Sequence, residues 1–242
     1  MKVSYGTDVG VVRNDNQDSV FTHMFTDDCG LFIVADGMGG HLGGKTASSM
    51  AIDIISHSIT DRFKMNFTPA EINHLMIEAV VKANTEIYRK SLEDTNLEGM
   101  GTTLVVMIIK DKMLYTVSVG DSRAYVCNGV RMYQITIDHS LVADLISKGV
   151  ISDEEAKEHP QKNVITRAVG SEEDVECDYF ETALDSGNVV LACSDGLHNL
   201  VSDREIAMVL SDDSDEPAQK LISLANERGG NDNITVVTVK IS

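Results

Sequence analysis

Ten short runs of apolar and β-branched residues, most of them separated by short turns, constrain the fold of this chain most strongly. They cover residues 3–9, 19–25, 30–35, 102–109, 113–119, 122–128, 131–135, 176–182, 188–193 and 233–240. The turns at 110–112 and 128–129 are short, and the Asn128-Gly129 pair is a strong hairpin signal. Strands joined by hairpins predict antiparallel sheets.

Helical spacing of apolar residues sets a second group of segments apart. The stripes lie at 47–59, at 72–87 and in a stretch that begins near Pro217. Thr68 offers an N-cap, Pro69 suits the first helical position, and Glu71 completes a capping box. Such one-sided stripes predict helical layers that cover the sheets.

The segment 136–170 differs from the rest because it has few apolar positions and lies between two predicted strands. The pattern predicts a short helix over 139–148 and a capping box at Ser152 and Glu155. We interpret it as a flap inserted near a site, within a single domain that covers residues 1–242. A surface insertion with no role in the site is the alternative.

Composition restricts the class of protein. With 242 residues and 43% hydrophobic residues, the chain can bury one sizeable core. A net charge of -18 and the absence of a Lys/Arg cluster argue against a nucleic-acid partner. The apolar runs are too short for membrane insertion, and the first ten residues lack a signal-peptide pattern. Four scattered cysteines are typical of reduced thiols, so we expect a cytoplasmic protein.

Four acidic motifs, each beside an apolar strand-like run, indicate a function. They are the segments 36–40, 120–123, 194–196 and 230–233, built around Asp36, Asp121, Asp195 and Asp232. A strand that delivers a carboxylate to a turn-tolerant residue can hold a hard cation. A single Asp-Gly pair usually marks only a turn, but four such motifs predict a polynuclear metal site.

Electrostatics favours the same interpretation. Two unit charges about 4 Å apart repel by roughly 4 kcal/mol at an effective dielectric near 20. Divalent cations reverse the sign of that energy. An all-oxygen ligand set favours Mg²⁺ or Mn²⁺ over Zn²⁺ or Cu²⁺.

Eight motifs, taken in order, carry a family resemblance. They lie at 13–19, 34–41, 101–103, 119–123, 138–140, 167–170, 193–197 and 231–235. Over essentially its whole length the chain resembles the metal-dependent serine/threonine protein phosphatases (the PPM, or type 2C, family) in their compact bacterial form. The resemblance implies an α+β fold, a four-layer α-β-β-α sandwich of two antiparallel sheets flanked by helices.

The resemblance also implies a metal centre with two Mn²⁺ or Mg²⁺ ions per subunit and a weaker third ion, as seen in family members. By motif position, Asp36 would bridge two metals and the Gly37 carbonyl would bind the second. Asp195 and Asp232 would hold the first metal. Asp18 would act through water.

Further roles follow from the same motif positions. Asp121 would contribute with Asp195 to a weaker third metal. Arg13 would bind the substrate phosphate as a two-pronged fork, which lysine cannot reproduce. A surface ion pair with an acid such as Asp15 is the alternative for Arg13. His41 is a candidate for phosphate binding or acid assistance, although a loop histidine that bonds only to backbone is an equal alternative.

Two positions depart from the family pattern. Met38 stands where animal members carry a histidine proposed as general acid, so acid assistance must come from elsewhere or be absent. Gln17 stands where many relatives have glutamate. Neither change removes a presumed metal ligand.

The function implied by the resemblance is hydrolysis of phosphoserine and phosphothreonine by a water activated between two divalent metals. The expected partners are phosphorylated proteins, namely a bacterial Ser/Thr kinase and its substrates, and the expected state is a monomer. Three alternatives stay open: a catalytically silent binding protein, a phosphatase specialised for one regulator, and a two-metal nuclease, which the acidic balance disfavours.

Overall fold

The computed structural model of the protein describes residues 1–40, 42–212 and 215–242. The strands are β1 (Lys2–Asp8), β2 (Asp18–Thr26), β3 (Cys29–Met38), β4 (Gly101–Thr102), β5 (Leu104–Lys110), β6 (Met113–Val119), β7 (Arg123–Asn128), β8 (Arg131–Gln134), β9 (Asp178–Ala183), β10 (Val189–Cys193) and β11 (Ile234–Lys240). The helices are α1 (Gly43–Thr60), α2 (Pro69–Glu93), α3 (Leu141–Ser147), α4 (Asp153–Lys157), α5 (Asp195–His198), α6 (Asp203–Ser211) and α7 (Pro217–Glu227).

The strands form two antiparallel sheets. One has the order β1-β11-β10-β7-β8, and the other has the order β2-β3-β5-β6-β9 with β4 paired to β3. The two short turns noted in the sequence join β5 to β6 and β7 to β8. The predicted antiparallel pairing is confirmed.

Burial on both faces explains why the central strands are apolar throughout. Along β3, Leu31 and Ile33 belong to the core beneath α1 and α2, whereas Phe32 and Val34 belong to the core between the two sheets. Successive side chains of a strand point to opposite faces, so both faces must be apolar. The remaining core lies between the other sheet and α5, α6 and α7. The predicted α-β-β-α sandwich is confirmed.

The segment 136–170 carries α3 and α4 between β8 and β9. Ser140 caps α3 by accepting a hydrogen bond from the Ala143 N–H at 3.3 Å. None of the α3 residues is fully buried. An isolated bridge between Ser140 and Ile165 joins the two ends of the segment. Packing of α3 on the rest of the molecule is therefore light.

The predicted end of the third strand was wrong. The sequence places Asp36 just beyond a strand that ends at residue 35, but β3 continues to Met38 because Gly37 and Met38 pair with Thr102 and Gly101. Within the described residues, no helix is both long and apolar enough to cross a membrane.

Candidate metal centre

One cleft collects four of the predicted aspartates from distant parts of the chain. The cleft has a volume of about 600 Å³, and its lining includes Asp36, Asp121, Asp195 and Asp232. Both sheets contribute, because Asp36 belongs to β3 and Asp232 lies two residues before β11. The predicted residues Arg13 and Gly37 line the same cleft. The fold thus brings one aspartate from each of the four acidic motifs into one cleft.

A glycine contact sets the approach of two of these aspartates. Gly196 follows Asp195 in α5, and a Cβ on Gly196 would lie 2.0 Å from the carbonyl oxygen of Asn233. Only a residue without a side chain allows this approach. Because Asn233 follows Asp232, the contact holds α5 and its aspartate beside the start of β11.

Asp18 is buried beside the cleft and does not line it. It is opposite Asp36 in the β2–β3 register and is 7% exposed. Its Oδ2 accepts a hydrogen bond from Ser194 Oγ at 2.8 Å. Its Oδ1, like Oδ1 of Asp195, is buried and has no hydrogen-bond partner among the described residues. Buried carboxylate oxygens without a donor are costly unless a cation or water reaches them.

The acidic residues raise one another's pKa values. Burial, followed by the charges of Asp121 and Asp232, raises the pKa of Asp195 to about 7. Burial is also the main cause that raises the pKa values of Asp18 and Asp121 to about 6. The pKa of Asp36 is well above its usual value, first through burial and then through Asp18. The cleft is therefore unfavourable for carboxylates that lack a cation.

Thr103 fixes the backbone of Asp36. Its N–H donates to the Asp36 carbonyl at 2.8 Å, and its Oγ1 accepts from the Asp36 N–H at 3.2 Å. The same hydroxyl lies 2.7 Å from Ser122 Oγ. Thr103 therefore connects Asp36 to the residue after Asp121. Sequence reasoning singled out this threonine only as part of a motif and gave it no role.

Asn233 is a second residue whose role the sequence did not reveal. It is 5% exposed, and its Oδ1 accepts from the Gln17 N–H at 2.8 Å. Its Nδ2 donates to the carbonyl oxygens of Val9 and Asp15 at 2.9 and 3.0 Å. The side chain thus anchors the loop that carries Arg13. The sequence signal that could have pointed to Asn233 is its position beside Asp232 in an acidic motif.

Arg13 forms an ion pair inside the cleft. Its Nη2 donates to Asp232 Oδ2 at 2.7 Å, and the Arg13 side chain is 56% exposed. The ion pair considered as an alternative is therefore real, but its partner is Asp232 rather than Asp15. Met38 also lines the cleft. His41 lies outside the described residues.

The donor set fits a hard divalent cation. The side-chain donors are carboxylate oxygens, which Mg²⁺ and Mn²⁺ prefer. Across residues 1–40, 42–212 and 215–242, no group of three or more His, Cys, Asp or Glu side chains is arranged, as it stands, so that it could hold a metal ion. Mg²⁺ is commonly held by one or two carboxylates with water completing its shell. An open group of aspartates that leaves space for water therefore fits Mg²⁺ or Mn²⁺ better than the closed four-ligand site of structural zinc.

Comparisons with known proteins place the chain in a family. Residues 11–235 match the family described as Protein phosphatase 2C. The chain belongs to the protein phosphatase 2C family. This phosphatase is 38% identical over 242 residues to the "Serine/threonine phosphatase stp" of Listeria monocytogenes, covering 99% of this chain and 96% of the relative. It is 36% identical over 244 residues to "Protein phosphatase PhpP" of Streptococcus pneumoniae, covering 100% and 98%.

Solved structures agree with this membership. The S. agalactiae serine/threonine phosphatase superposes with a TM-score of 0.92 at 37% identity, covering 100% of this chain and 99% of that one. The catalytic domain of the phosphatase PstP in complex with two manganese ions gives a TM-score of 0.83 at 34% identity, covering 98% and 96%. The chain is a phosphoprotein phosphatase that depends on divalent metal.

Proposed function

We propose that this phosphatase hydrolyses phosphoserine and phosphothreonine in proteins, using two Mn²⁺ or Mg²⁺ ions in the aspartate cleft and a weaker third. One observation carries the proposal. Aspartates from separate segments converge on one cleft, and Asp195 and the adjacent Asp18 each keep a buried oxygen with no hydrogen-bond partner among the described residues. The serine/threonine specificity and two-manganese complex named for the relatives support it.

Each acidic residue has a proposed role. Asp36 would hold both ions, the Gly37 carbonyl would bind one of them, and Asp195 and Asp232 would hold the other. When bound, the ions supply a water that is nucleophilic near neutral pH and neutralise charge on the phosphoryl group. Asp18 contributes from beside the cleft through water. This role fits its place beside Asp36 on the neighbouring strand, outside the residues that line the cleft.

Two further residues act on the third ion and on the substrate. Asp121 would hold the third ion together with Asp195. Arg13 binds two phosphoryl oxygens through its fork of N–H groups and stabilises the charge that develops there. Its place in the cleft and its exposure support this role. Met38 carries no acidic proton, so the leaving oxygen takes its proton from another group or from solvent.

The segment 136–170 is proposed as a flap that borders the cleft, within one catalytic domain covering 1–242. Asn163 and Ile165 line the cleft, which supports the assignment. Asn163→Ala should change kcat/KM for a phosphopeptide more than for p-nitrophenyl phosphate, because only the peptide extends beyond the phosphate. Equal changes for both substrates would count against a flap that contacts the substrate.

We also propose the partners and setting of the enzyme. The partners are a bacterial Ser/Thr kinase and its substrates, the state is a monomer, and the location is the cytoplasm, as the unpaired cysteines among the described residues suggest. Incubation with an autophosphorylated kinase domain should release phosphate, and light scattering should give the mass of one chain. A kinase that keeps its label would refute the pairing.

The experiment for the main proposal measures hydrolysis of p-nitrophenyl phosphate against Mn²⁺ concentration. Asn199 Nδ2 donates a hydrogen bond to Asp195 Oδ2 at 3.0 Å. Asp195→Asn removes the carboxylate charge but keeps an acceptor for this hydrogen bond. We expect this variant to lose more than about 100-fold in turnover, because even outer-shell changes cost about 10–100-fold. The control is Asp111→Asn, where a φ of 51° suits asparagine. No turnover by the unmodified protein at any Mn²⁺ concentration would favour a catalytically silent binding protein.

A further inference from the structure

The backbone immediately before Asp121 is held by the side chain of His139. The Gly120 N–H donates to His139 Nδ1 at 3.1 Å, and the His139 N–H donates to the Gly120 carbonyl at 2.9 Å. His139 is only 5% exposed. Gly120 has a φ of +95°, and a Cβ there would lie 2.7 Å from Thr103 Cβ. The path of the chain into Asp121 is therefore closely defined.

A second histidine holds the same stretch of backbone one residue further on. His198 Nε2 lies 3.1 Å from the carbonyl oxygen of Asp121. His198 is the last residue of α5, the helix that begins with Asp195. One short helix therefore carries one acidic residue of the cleft and a contact to another. The charge of Asp121 is also the largest charge contribution to the raised pKa of Asp195.

The two histidines have opposite hydrogen-bond roles. A backbone N–H can only donate, so His139 Nδ1 carries no proton and accepts. Its Nε2 then carries the proton and lies 3.2 Å from Asp178 Oδ2. A carbonyl oxygen can only accept, so His198 Nε2 carries a proton and donates. Arg167 Nη1 also lies 3.3 Å from His139 Nε2, but both groups are then donors, so this contact is not a hydrogen bond. Both donors instead face the Asp178 carboxylate, where Arg167 Nη1 pairs with Oδ1 at 3.3 Å.

His139 also fastens the segment 136–170. Its carbonyl oxygen accepts from the Thr166 N–H at 2.8 Å. The next residue, Ser140, forms a bridge with Ile165. Both ends of the segment therefore meet at the residue that holds Gly120.

We propose that His139 and His198 are positioning residues for Asp121, one accepting from and the other donating to the backbone at 120–121, so that the carboxylate is held toward Asp195. The inference rests on the proposed function in that Asp121 serves the weaker, third ion. Loss of either hydrogen bond loosens Asp121 and weakens that ion first. The remaining ligands at Asp36 and Asp232 are unaffected.

Paired substitutions separate these roles. In His139→Asn the amide oxygen occupies the place of Nδ1 and still accepts, whereas His139→Gln reaches the place of Nε2 and loses the acceptor. At position 198 the order reverses, because His198→Gln keeps a donor near Nε2 and His198→Asn does not. A role based only on size and packing does not produce this reversal.

The first readout is hydrogen exchange of the Gly120 amide in the metal-free protein. Protection should fall about tenfold or more in His139→Gln, because a buried N–H loses its acceptor, and stay within about threefold of wild type in His139→Asn. ¹⁵N NMR of the wild-type protein should show His139 protonated at Nε2 and His198 protonated at Nε2. Protonation of His139 at Nδ1 would overturn the proposal even if no variant folds.

The second readout is the Mn²⁺ concentration for half-maximal hydrolysis of p-nitrophenyl phosphate. It should rise about tenfold in His139→Gln and His198→Asn, with KM for the substrate unchanged, and stay near wild type in the other two variants. Equal behaviour of both substitutions at each position would contradict the proposal. If the wild-type protein shows no hydrolysis, the proposed function fails, whereas the exchange and NMR results still decide the hydrogen bonds.

Discussion

The ion pair between Arg13 and Asp232 joins two residues to which the sequence assigns different tasks. A guanidinium that neutralises a carboxylate is also placed to neutralise a phosphate. The geometry of the group matters as well as its charge, since arginine offers a rigid fork and lysine a single point charge. Lysine at position 13 would keep the positive charge but lose the fork.

Arg13→Lys should lower kcat/KM for a phosphopeptide by about 10–100-fold, the range expected when charge-assisted hydrogen bonds are lost. The thermal shift caused by Mn²⁺ should persist, because Arg13 is not a metal ligand. Steady-state kinetics and thermal unfolding measure the two effects. Wild-type kcat/KM in Arg13→Lys would remove Arg13 from phosphate binding.

Asp18 gives a prediction about stability rather than catalysis. Its pKa is raised to about 6 mainly by burial, so the charged carboxylate destabilises the metal-free fold at pH 7.5. Asp18→Asn removes that charge and keeps an acceptor for Ser194. We expect the variant to gain about 1–3 kcal/mol in unfolding free energy in EDTA, or roughly 2–10 °C in Tm, and to gain less from Mn²⁺.

The comparison for Asp18→Asn is Asp111→Asn, an exposed acid outside the cleft, which should change Tm by less than about 1 °C. Calorimetry in EDTA and in Mn²⁺ decides the point. A lower Tm for Asp18→Asn in EDTA would mean that the buried carboxylate is stabilised by contacts that the metal-free fold already provides.

The sequence identified the aspartates themselves but not the side-chain contacts that hold them in place. Asp36, Asp121, Asp195 and Asp232 are visible because each lies in a motif beside an apolar run. The alternative considered for Arg13 was an ion pair with a neighbouring acid, yet the acid that pairs with it is 219 positions away. Such pairings depend on tertiary packing, which a single sequence does not encode locally.

At the scale of elements, α5 determines how Asp195 approaches Asp232. The contact between Gly196 and Asn233 leaves no space for a Cβ. Gly196→Ala should therefore displace α5 from β11 and separate the two aspartates. We expect a loss of about 1–3 kcal/mol in unfolding free energy, as for other overpacked sites, and a Mn²⁺ requirement raised by about tenfold.

A matched glycine variant controls for general effects. Gly129 lies in the β7–β8 hairpin with a φ of +59° and open space around it. Gly129→Asn should be nearly neutral in stability and Mn²⁺ requirement, since asparagine tolerates this backbone conformation. Isothermal calorimetry and denaturant unfolding compare the two variants. Equal losses in both would argue against a specific role for the α5–β11 contact.

The sequence predicted the long elements well because their periodicity reflects burial. The capping box at Thr68 begins α2 as predicted, and all ten strand predictions overlap observed strands. α5 was not predicted because four residues are too short for a periodic signal. The extension of β3 past residue 35 was also unpredictable, since it depends on pairing with the two-residue strand β4.

At the scale of the whole molecule, the aspartates in and beside the cleft make the stability of the fold depend on pH and on metal binding. The pKa values of Asp195 (about 7) and of Asp18 and Asp121 (about 6) exceed the unfolded value of 3.8. Groups with raised pKa values contribute stability below about pH 3.8 and lose it as pH rises through 6 to 7. Metal binding requires the deprotonated carboxylates, so Mn²⁺ and protons compete in the same window.

We therefore expect the Mn²⁺-induced increase in Tm to be small at pH 5.5 and to grow steadily to pH 8. In EDTA the unfolding free energy should fall over the same interval. Thermal unfolding across this pH series, with and without Mn²⁺, measures both trends. A metal-induced shift that is equal at pH 5.5 and pH 8 would contradict the linkage.

The central claim is that segments distant in sequence meet around divalent ions. The most direct measurement is anomalous diffraction at the manganese edge from crystals grown with Mn²⁺. We predict two strong peaks in the cleft, each within about 2.0–2.3 Å of oxygens from Asp36, with Asp195 and Asp232 on one ion. Peaks located only elsewhere on the molecule, with these carboxylates binding no ion, would contradict the account.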